Sequence, residues 1–365
     1  MKILLLGEYS NVHATLAEAV KRLGHDVLVV SNGDFWNNYP RDISLVRRPG
    51  TWGGVAYMAK LAATLPRLRG YDVVQIINPM FLELKAARIE PVFRFLKKHN
   101  RKIFLGAFGM DYYWVYVNDT LRPMRYSDFN IGDTRRTNAD AEKERKDWVG
   151  TDKQRLNETV ARECNGIIAG LYEYWACYQP LFPEKTRFIP FPIKPGEGQK
   201  GGTASDLKKK VRIFIGVNRE RSAYKGTDIM LKAVERVARE YPDKMELVKA
   251  ESVPFNIYGQ MMNGSDAILD QLYSYTPSMN ALLAMSKGII NIGGGEPENY
   301  EILNETQLRP IINVLPDEES VYRQLVELVT HPEMIPRLKS ESMEYVRRHH
   351  DYLKVARQYL EFYGL

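Results

Sequence analysis

Residues 2–30 read KILLLGEYSNVHATLAEAVKRLGHDVLVV, and the fold follows from this stretch. Lys2 to Leu6 is an apolar run of strand length, Gly7 to Asn11 is a Gly-containing turn, and Ala14 to Leu23 has helical spacing closed by Gly24. Asp26 to Val30 follows at once as a second apolar run. Strands that are apolar throughout bury both faces, which is the pattern of a parallel sheet covered by helices. The stretch therefore predicts a βαβ opening.

Outward from it the alternation continues. An amphipathic segment from Trp52 to Arg69 precedes a strand at Val73 to Ile77, then a basic helix from Pro91 to His99 and a strand at Lys102 to Gly106. The polar stretch 119–163 reads as an insertion with one or two surface helices, after which Gly166 to Ala169 returns to the pattern. Seven of the thirteen residues from Pro190 to Gly202 are Pro or Gly, so a linker is expected there. Beyond it strands are expected at Val211 to Val217, Met245 to Lys249, Ala267 to Leu269, Ile289 to Ile292 and Ile311 to Val314. Helices are expected at Thr227 to Glu240, Pro254 to Asn263, Pro277 to Ser286 and just after Pro297, followed by three more C-terminal segments. The reading is α/β: two Rossmann-like doubly wound domains, 1–190 and 203–350, joined by a linker at 191–202 and followed by a helix at 351–365. Two such domains are expected to face each other across a cleft, where ligands bind in folds of this kind.

The chain has 365 residues, 44% hydrophobic and 26% charged, with 13 Phe, 22 Tyr and 5 Trp, which excludes disordered and low-complexity classes. No apolar run approaches the roughly 20 residues of a membrane span, and Glu8 interrupts Met1 to Leu6 before a signal-peptide core can form. Cys164 and Cys177 show no metal or redox spacing and are expected as buried thiols in a reducing cytoplasm. The net charge is +6, but residues 1–102 alone hold 16 Lys and Arg against 8 Asp and Glu. Such asymmetry suits a first domain that meets an anionic surface, either phosphate-bearing substrates or the inner membrane leaflet. The apolar residues Val55, Met58, Leu61, Ala62 and Leu65, with Lys60, Arg67 and Arg69 around them, mark the segment for peripheral membrane contact. Nothing in the chain calls for a nucleic-acid partner.

Several chemistries are disfavoured by what the strand ends lack. No Gly-x-Gly-x-x-Gly follows the first strand and no phosphate-binding Gly-x-x-x-x-Gly-Lys-Ser/Thr loop occurs, against dinucleotide oxidoreductases and P-loop enzymes. There is no Asp-x-Asp, and the six His have no ligand spacing; His349 and His350 read as a solvated helix end. No metal and no cofactor are expected. The informative stretch is Gly216 to Gly226, where a strand ending in Gly precedes Arg219, Arg221 and Lys225 and then a helix start at Gly226: fixed cations beside a helix N-terminus make an anion site. Thr276 as N-cap and Pro277 at the first position predict a second helix start near Ser278 with free N–H groups. After the next strand, Gly293, Gly294 and Gly295 allow close backbone approach, and Glu296 and Glu298 can accept hydrogen bonds from sugar hydroxyls.

The order of these elements resembles a family. Strand, Gly, Arg, Lys225-Gly226, then Ser265-Asp266, Ala284-Met285-Ser286-x-Gly288 and Gly294-Gly295-x-Pro297-Glu298 is similar to the donor domain of retaining GT-B glycosyltransferases, group 1 or family-4-like. Gly24-His25-Asp26-Val27 resembles that family's turn into its second strand, and Gly109-x-Asp111 its acceptor-side loop, so Gly7, Glu8, Gly109 and Asp111 are the expected acceptor-side residues. The likeness spans nearly the whole chain, with 119–163 outside it. It implies transfer of a sugar from a nucleoside-diphosphate sugar to a glycan or lipid-linked acceptor, metal-independent and retaining. Arg219, Lys225 and Glu298 would be catalytic, and Gly216, Arg221, Gly226, Tyr275, Ser278, Gly294, Gly295 and Glu296 would hold the donor. The pattern departs at one point, since Tyr275 and Leu283 stand where the family has a pair of Glu. A GT-B chain that binds sugar nucleotides without turnover, or an epimerase of the same fold, is the rival reading.

Overall fold

The computed structural model describes residues 1–194, 210–217, 222–251, 253 and 255–364. The first part of the chain runs β1 (Lys2–Leu6), α1 (Val12–Arg22), β2 (Asp26–Ser31), β3 (Ile43–Ser44), α2 (Gly50–Thr64), β4 (Val73–Ile76), α3 (Ala86–His99), β5 (Lys102–Ala107) and α4 (Tyr112–Thr120). Next come β6 (Asn130–Ile131), β7 (Thr134–Arg135), α5 (Ala139–Trp148), α6 (Asp152–Glu163), β8 (Gly166–Ala169), α7 (Tyr172–Tyr178) and β9 (Thr186–Phe188). The rest is β10 (Val211–Val217), α8 (Ser222–Lys225), α9 (Thr227–Glu240), β11 (Met245–Glu251), α10 (Phe255–Met262), β12 (Ala267–Leu269), α11 (Met279–Ser286), β13 (Ile290–Gly293), α12 (Pro297–Ile302), β14 (Ile312–Asn313), α13 (Glu318–Thr330), α14 (Ile335–His349) and α15 (Tyr352–Tyr363).

Two compact units result. The first comprises Met1–Pro123, Lys143–Pro192 and Tyr352–Leu365; the second comprises Met124–Glu142 and Ile193–Asp351. A seven-stranded sheet ordered β3-β2-β1-β4-β5-β8-β9 forms the first, and its pairings are all parallel. A five-stranded sheet ordered β11-β10-β12-β13-β14, again parallel, forms the second. Each is a doubly wound α/β unit, the GT-B type of half. Its cause is visible in β1, where Ile3, Leu4, Leu5 and Leu6 are all buried because β2 and β4 flank the strand and helices cover both faces. Gly24, at φ +87°, ends α1 in the left-handed region that Gly enters without strain.

In the second unit, Met230, Ala233, Val234 and Val237 of α9 repeat at helical spacing and are fully buried against Ile213 and Ile215 of β10. Met230, Val234 and Val237 each contribute about 1.5–3 kcal/mol through burial, so a charge at Val234 would break this face.

Several local expectations change. The strands β3 and β9 and the helices α4 and α7 are additional to those read from the sequence; α4 and α7 are rich in aromatic residues, and Asp111 caps α4 by accepting from the Trp114 N–H at 2.8 Å. Helix α3 begins one turn before Pro91 and contains it; the carbonyl left without a donor belongs to solvent-exposed Ala87. Segment 124–142 belongs to the second unit, and α15 returns to the first, where it packs on α1 and Lys102 Nζ donates to the Tyr363 carbonyl at 2.8 Å. Of the linker stretch only residues 191–194 lie among the described residues. His349 and His350 are not a solvated turn: His350 is buried, and His349 Nε2 lies 2.7 Å from the buried Glu305 carboxylate, which also accepts from Arg348 at 3.0 Å. Burial would raise Glu305, but His349, the Leu308 and Gln307 N–H groups and Arg348 bring its pKa down to about 2. Cys164 and Cys177 are both buried free thiols, and burial raises both.

Candidate functional site

The second unit gathers most of the residues singled out in the sequence at the carboxyl ends of three adjacent strands, β10, β12 and β13, where ligands bind in sheets of this kind. Gly216 lies in β10, and a Cβ there would overlap the Tyr258 ring. Arg219 and Arg221 fall outside the described residues. Lys225 ends the short α8, its carbonyl accepts the Leu272 N–H at 2.9 Å, and its side chain has no carboxylate partner among the described residues. Gly226 follows at φ +71° as the N-cap of α9, packed on Leu272 and Tyr273 so closely that a side chain would collide with both.

From Tyr273 the chain continues through Ser274 and Tyr275, and here β13 meets it. Gly294 abuts the Ser274 carbonyl so closely that any Cβ would overlap it, the Gly295 N–H donates to Asn313 Oδ1 at 2.9 Å, and the Glu296 N–H donates to the Tyr275 carbonyl at 3.1 Å. Lys225 and Gly226 thus touch Leu272 and Tyr273, Gly294 and Glu296 touch Ser274 and Tyr275, and the segment 272–275 ties the two strand ends together.

Helix α11 begins later than the sequence suggested. Its N-cap is Ser278, not Thr276, and the Ser278 hydroxyl donates to Asp270 instead of capping the helix. Asn280 donates to the other Asp270 oxygen at 3.2 Å and to the Tyr258 hydroxyl at 2.8 Å, so an acidic group already stands beside this helix start.

The two Glu after β13 are held by a residue that sequence reasoning missed. Arg125 donates from Nη2 to Glu296 at 2.7 Å and from Nη1 to Glu298 at 2.5 Å, and its guanidinium lies 4.8 Å from the Tyr275 ring centroid. Its backbone N–H donates to the Tyr275 hydroxyl at 2.6 Å. The Tyr126 hydroxyl also donates to Glu296 at 2.6 Å, and the Asn313 side-chain amide donates to it at 3.0 Å. Glu296 is only 6% exposed, while Arg125 is 55% exposed and has one face toward solvent. Burial would raise the Glu298 carboxyl, but Arg125 holds it below the usual range; burial also pushes the Tyr275 hydroxyl up to about 12. Further along the same segment, Arg136 lies 3.5 Å over the Tyr273 ring and donates to the Ala223 carbonyl at 3.1 Å. No local signal marks Arg125, Tyr126 or Arg136, which lie more than a hundred residues from Glu296 and Tyr273.

In the first unit a cavity of about 900 Å³ opens at the carboxyl ends of β1 and β2, lined by Gly7, Glu8, Tyr9, Ser31 and Asn32 on one side and elsewhere by apolar side chains, by Arg47, Arg48, Lys85 and Lys153, and by Glu83, Asp147 and Asp152. Glu8 is buried, and its carboxylate accepts the His13 N–H at 3.1 Å and the Ala14 N–H at 2.8 Å. Burial dominates over those two bonds and raises its pKa to about 8. Gly109 and Asp111 do not line the cavity. Gly109 packs against the Tyr9 ring, and Asp111, fully buried, accepts from the Trp114 N–H and from the Tyr178 hydroxyl at 2.7 Å; burial lifts it to about 6.

Helix α2 borders this region. Its expected apolar stripe is divided: Leu61, with Tyr57 and Thr64, is buried, whereas Trp52 is 85%, Val55 55% and Met58 39% exposed. Among the described residues no helix is long and apolar enough to cross a membrane, and no three His, Cys, Asp or Glu side chains group as metal ligands.

No family model and no curated protein sequence matches the chain. Solved structures do. HepE from Anabaena, determined with UDP and glucose, superposes with a TM-score of 0.61 at 13% identity over 99% of this chain and 98% of that one. Sucrose-phosphate synthase from Thermosynechococcus elongatus gives 0.62 at 14% identity over 100% and 98%. A protein from Listeria monocytogenes, provisionally assigned as a UDP-N-acetylglucosamine 2-epimerase, gives 0.57 at 11% over 98% and 94%. At these identities the likeness establishes the GT-B fold; the reaction must be argued from the site.

Proposed function

We propose that the chain is a nucleotide-sugar-dependent glycosyltransferase, metal-independent and retaining, that moves a sugar from a nucleoside-diphosphate donor held by the second unit to a glycan or lipid-linked acceptor held by the first. The observation that carries this reading is the segment 272–275 at adjacent strand ends, which touches Lys225-Gly226 through Leu272 and Tyr273 and Gly294 and Glu296 through Ser274 and Tyr275. A cation with no carboxylate partner among the described residues, beside the start of a 14-residue helix, suits a diphosphate. Lys225, with Arg219 and Arg221, would stabilise the charge that develops on the leaving diphosphate, where fixed cations act most strongly. Glu298 and Glu296, with Gly294 and Gly295, would meet the donor sugar in place of the family's missing Glu pair. Gly216 and Ser278 would border the base and phosphates. Glu8, Gly7, Gly109 and Asp111 would form or brace the acceptor side, and the first unit would touch the cytoplasmic face of a membrane peripherally through α2.

HepE was determined with UDP and glucose and also with UDP-glucose, so UDP-sugars head the donors to test. A thermal-shift screen against UDP-, GDP-, ADP- and CMP-sugars decides the donor: a ligand at 100 times its Kd adds about 2.7 kcal/mol of stability. Absence of any shift, with no sugar transfer or donor hydrolysis, overturns the reading.

A second reading, a sugar-nucleotide-binding GT-B chain without turnover, draws on one observation. Arg125 occupies both Glu296 and Glu298, while Tyr275 and Leu283 replace the family's carboxylates. Donor binding without transfer or hydrolysis would select it.

A further inference from the structure

Helix α2 has the sequence GTWGGVAYMAKLAAT, a single charge in 15 residues, yet only Tyr57, Leu61 and Thr64 are buried. A helix this apolar with its outer face in water is unusual for a soluble surface. Beside it runs a groove of about 690 Å³ lined by Val55 and Met58 from α2 and by Arg47, Lys85 and Arg88. Arg47 and Lys85 also line the 900 Å³ cavity, so the groove and the cavity share a cationic border. Arg48 adds a fourth cation on the cavity side. None of the four side chains forms an ion pair among the described residues, although the Arg47 backbone N–H donates to the Glu83 carboxylate at 2.6 Å and Arg94, Lys97, Arg145 and Lys153 of the same unit are all paired.

The first unit thus presents three zones: a largely apolar cavity whose polar groups include Glu8, Ser31 and Asn32, a band of cations whose side chains form no ion pair among the described residues, and an exposed apolar helix face ending at Trp52. An amphiphile has the same three parts. We infer that this is the seat of one lipid molecule with a phosphate-bearing head: hydroxyls in the pocket, phosphate on Arg47, Arg48, Lys85 and Arg88, and hydrocarbon chain along Val55, Met58 and Trp52. Guanidinium groups grip phosphate in bidentate fashion, and cations without internal partners lose no ion pair when they do so. The chain covers the helix face that the fold leaves bare. That this lipid is the sugar acceptor rests on the transferase reading; the seat itself does not.

Binding to the full chain without donor tests the seat, with Trp52 as the reporter and Trp52→Phe as the fluorescence control. Three probes are compared below their aggregation limits: dioctanoyl phosphatidic acid, dioctanoylglycerol and glycerol 3-phosphate. Phosphatidic acid is expected to bind at least tenfold more tightly than either of the others and to weaken with salt. The double variant Arg47→Ala/Lys85→Ala and the variant Met58→Glu should each reduce its affinity at least tenfold while leaving UDP-sugar thermal shifts unchanged. Equal binding of glycerol 3-phosphate would make this a soluble-phosphate site, equal binding of dioctanoylglycerol an apolar patch alone, and no binding of any probe an unoccupied surface; each overturns the inference. Lipid binding that persists where no nucleotide sugar binds would sink the transferase reading and leave the lipid seat standing.

Discussion

Two carboxyl groups lie beyond the carboxyl ends of parallel strands, Glu8 after β1 in the first unit and Glu298 after β13 in the second, and they stand in opposite electrostatic states. Burial opposes ionisation of both. At Glu8 the compensation comes from the backbone N–H groups of Ala14, His13 and Tyr9, and burial wins; at Glu298 a guanidinium is added, and it wins. Desolvation and dipoles therefore leave a proton-exchanging group in the first unit, whereas one cation fixes an anion in the second. The fold is shared, and a single Arg from segment 124–142 makes the difference.

The largest expected effect lies at Glu8. Its folded pKa, about 8, exceeds the ordinary value of 4.5, so the folded state binds more protons between these limits. Its contribution to stability is then present below pH 4.5 and lost as pH rises toward 8, by at most about 5 kcal/mol. Glu8→Gln mimics the protonated acid and should remove this slope, leaving the variant more stable than the parent at pH 8 and little changed at pH 4.5. Urea unfolding at the two pH values measures it. A slope that persists in the variant means Glu8 is ionised like Glu298, and the contrast collapses.

Next is Lys225, whose charge acts on the ligand instead of on a neighbour. Lys225→Ala should lower turnover by roughly 10²–10³, the usual cost of removing one group that stabilises developing charge. Turnover should also survive EDTA. Loss of activity on chelation with rescue by Mg²⁺ would transfer the role to a metal.

Arg125 sharpens the comparison from the other side. With Arg125→Ala only burial and local N–H groups act on Glu298, and its carboxyl should move from below the usual range to above it. In the parent, Glu298 contributes stability above pH 4.5 that is lost as pH falls through its lowered folded value; in the variant the sign reverses, as at Glu8. NMR titration of the Glu298 carboxyl reads the shift directly. Glu298→Gln should cost about 1.5–3 kcal/mol of donor or transition-state binding, the range for a hydrogen bond to a charged group. A donor complex with both Glu296 and Glu298 beyond hydrogen-bonding reach would refute their role.

Much of the sheet framework was legible because parallel strands buried on both faces are mostly apolar: β1 and β12 are short apolar runs bounded by Gly or charged residues, β10 is interrupted only by Arg212 and Gly216, and their short length and flanks mark them as strands. Helices α4 and α7 were not, since YYWVYVNDT and YEYWACY favour strands locally and become helical through a buried cap and packing among their aromatic rings. The return of α15 to the first unit has no local signal at all. The glycines of the site were readable from their spacing, but the partner of Glu296 and Glu298 was not, because an Arg in a polar insertion looks like any solvated charge until the chain brings it across 171 residues.

Tyr275 gives the smallest effect and the finest test. It stands where the family has a Glu, and a substitute for that carboxylate would face the donor; instead, its hydroxyl accepts the Arg125 N–H at 2.6 Å while its ring supports the Arg125 guanidinium and lies 4.9 Å from the Tyr126 ring. These contacts make Tyr275 the anchor of the Arg125 segment. Tyr275→Phe keeps the ring and deletes one hydrogen bond, so it should cost about 1 kcal/mol of stability and leave the donor Kd within about threefold. If the variant instead loses donor affinity by a factor of ten or more with stability unchanged, the hydroxyl has taken the role of the missing carboxylate, and the anion at Glu298 is no longer the group that sets the second unit apart.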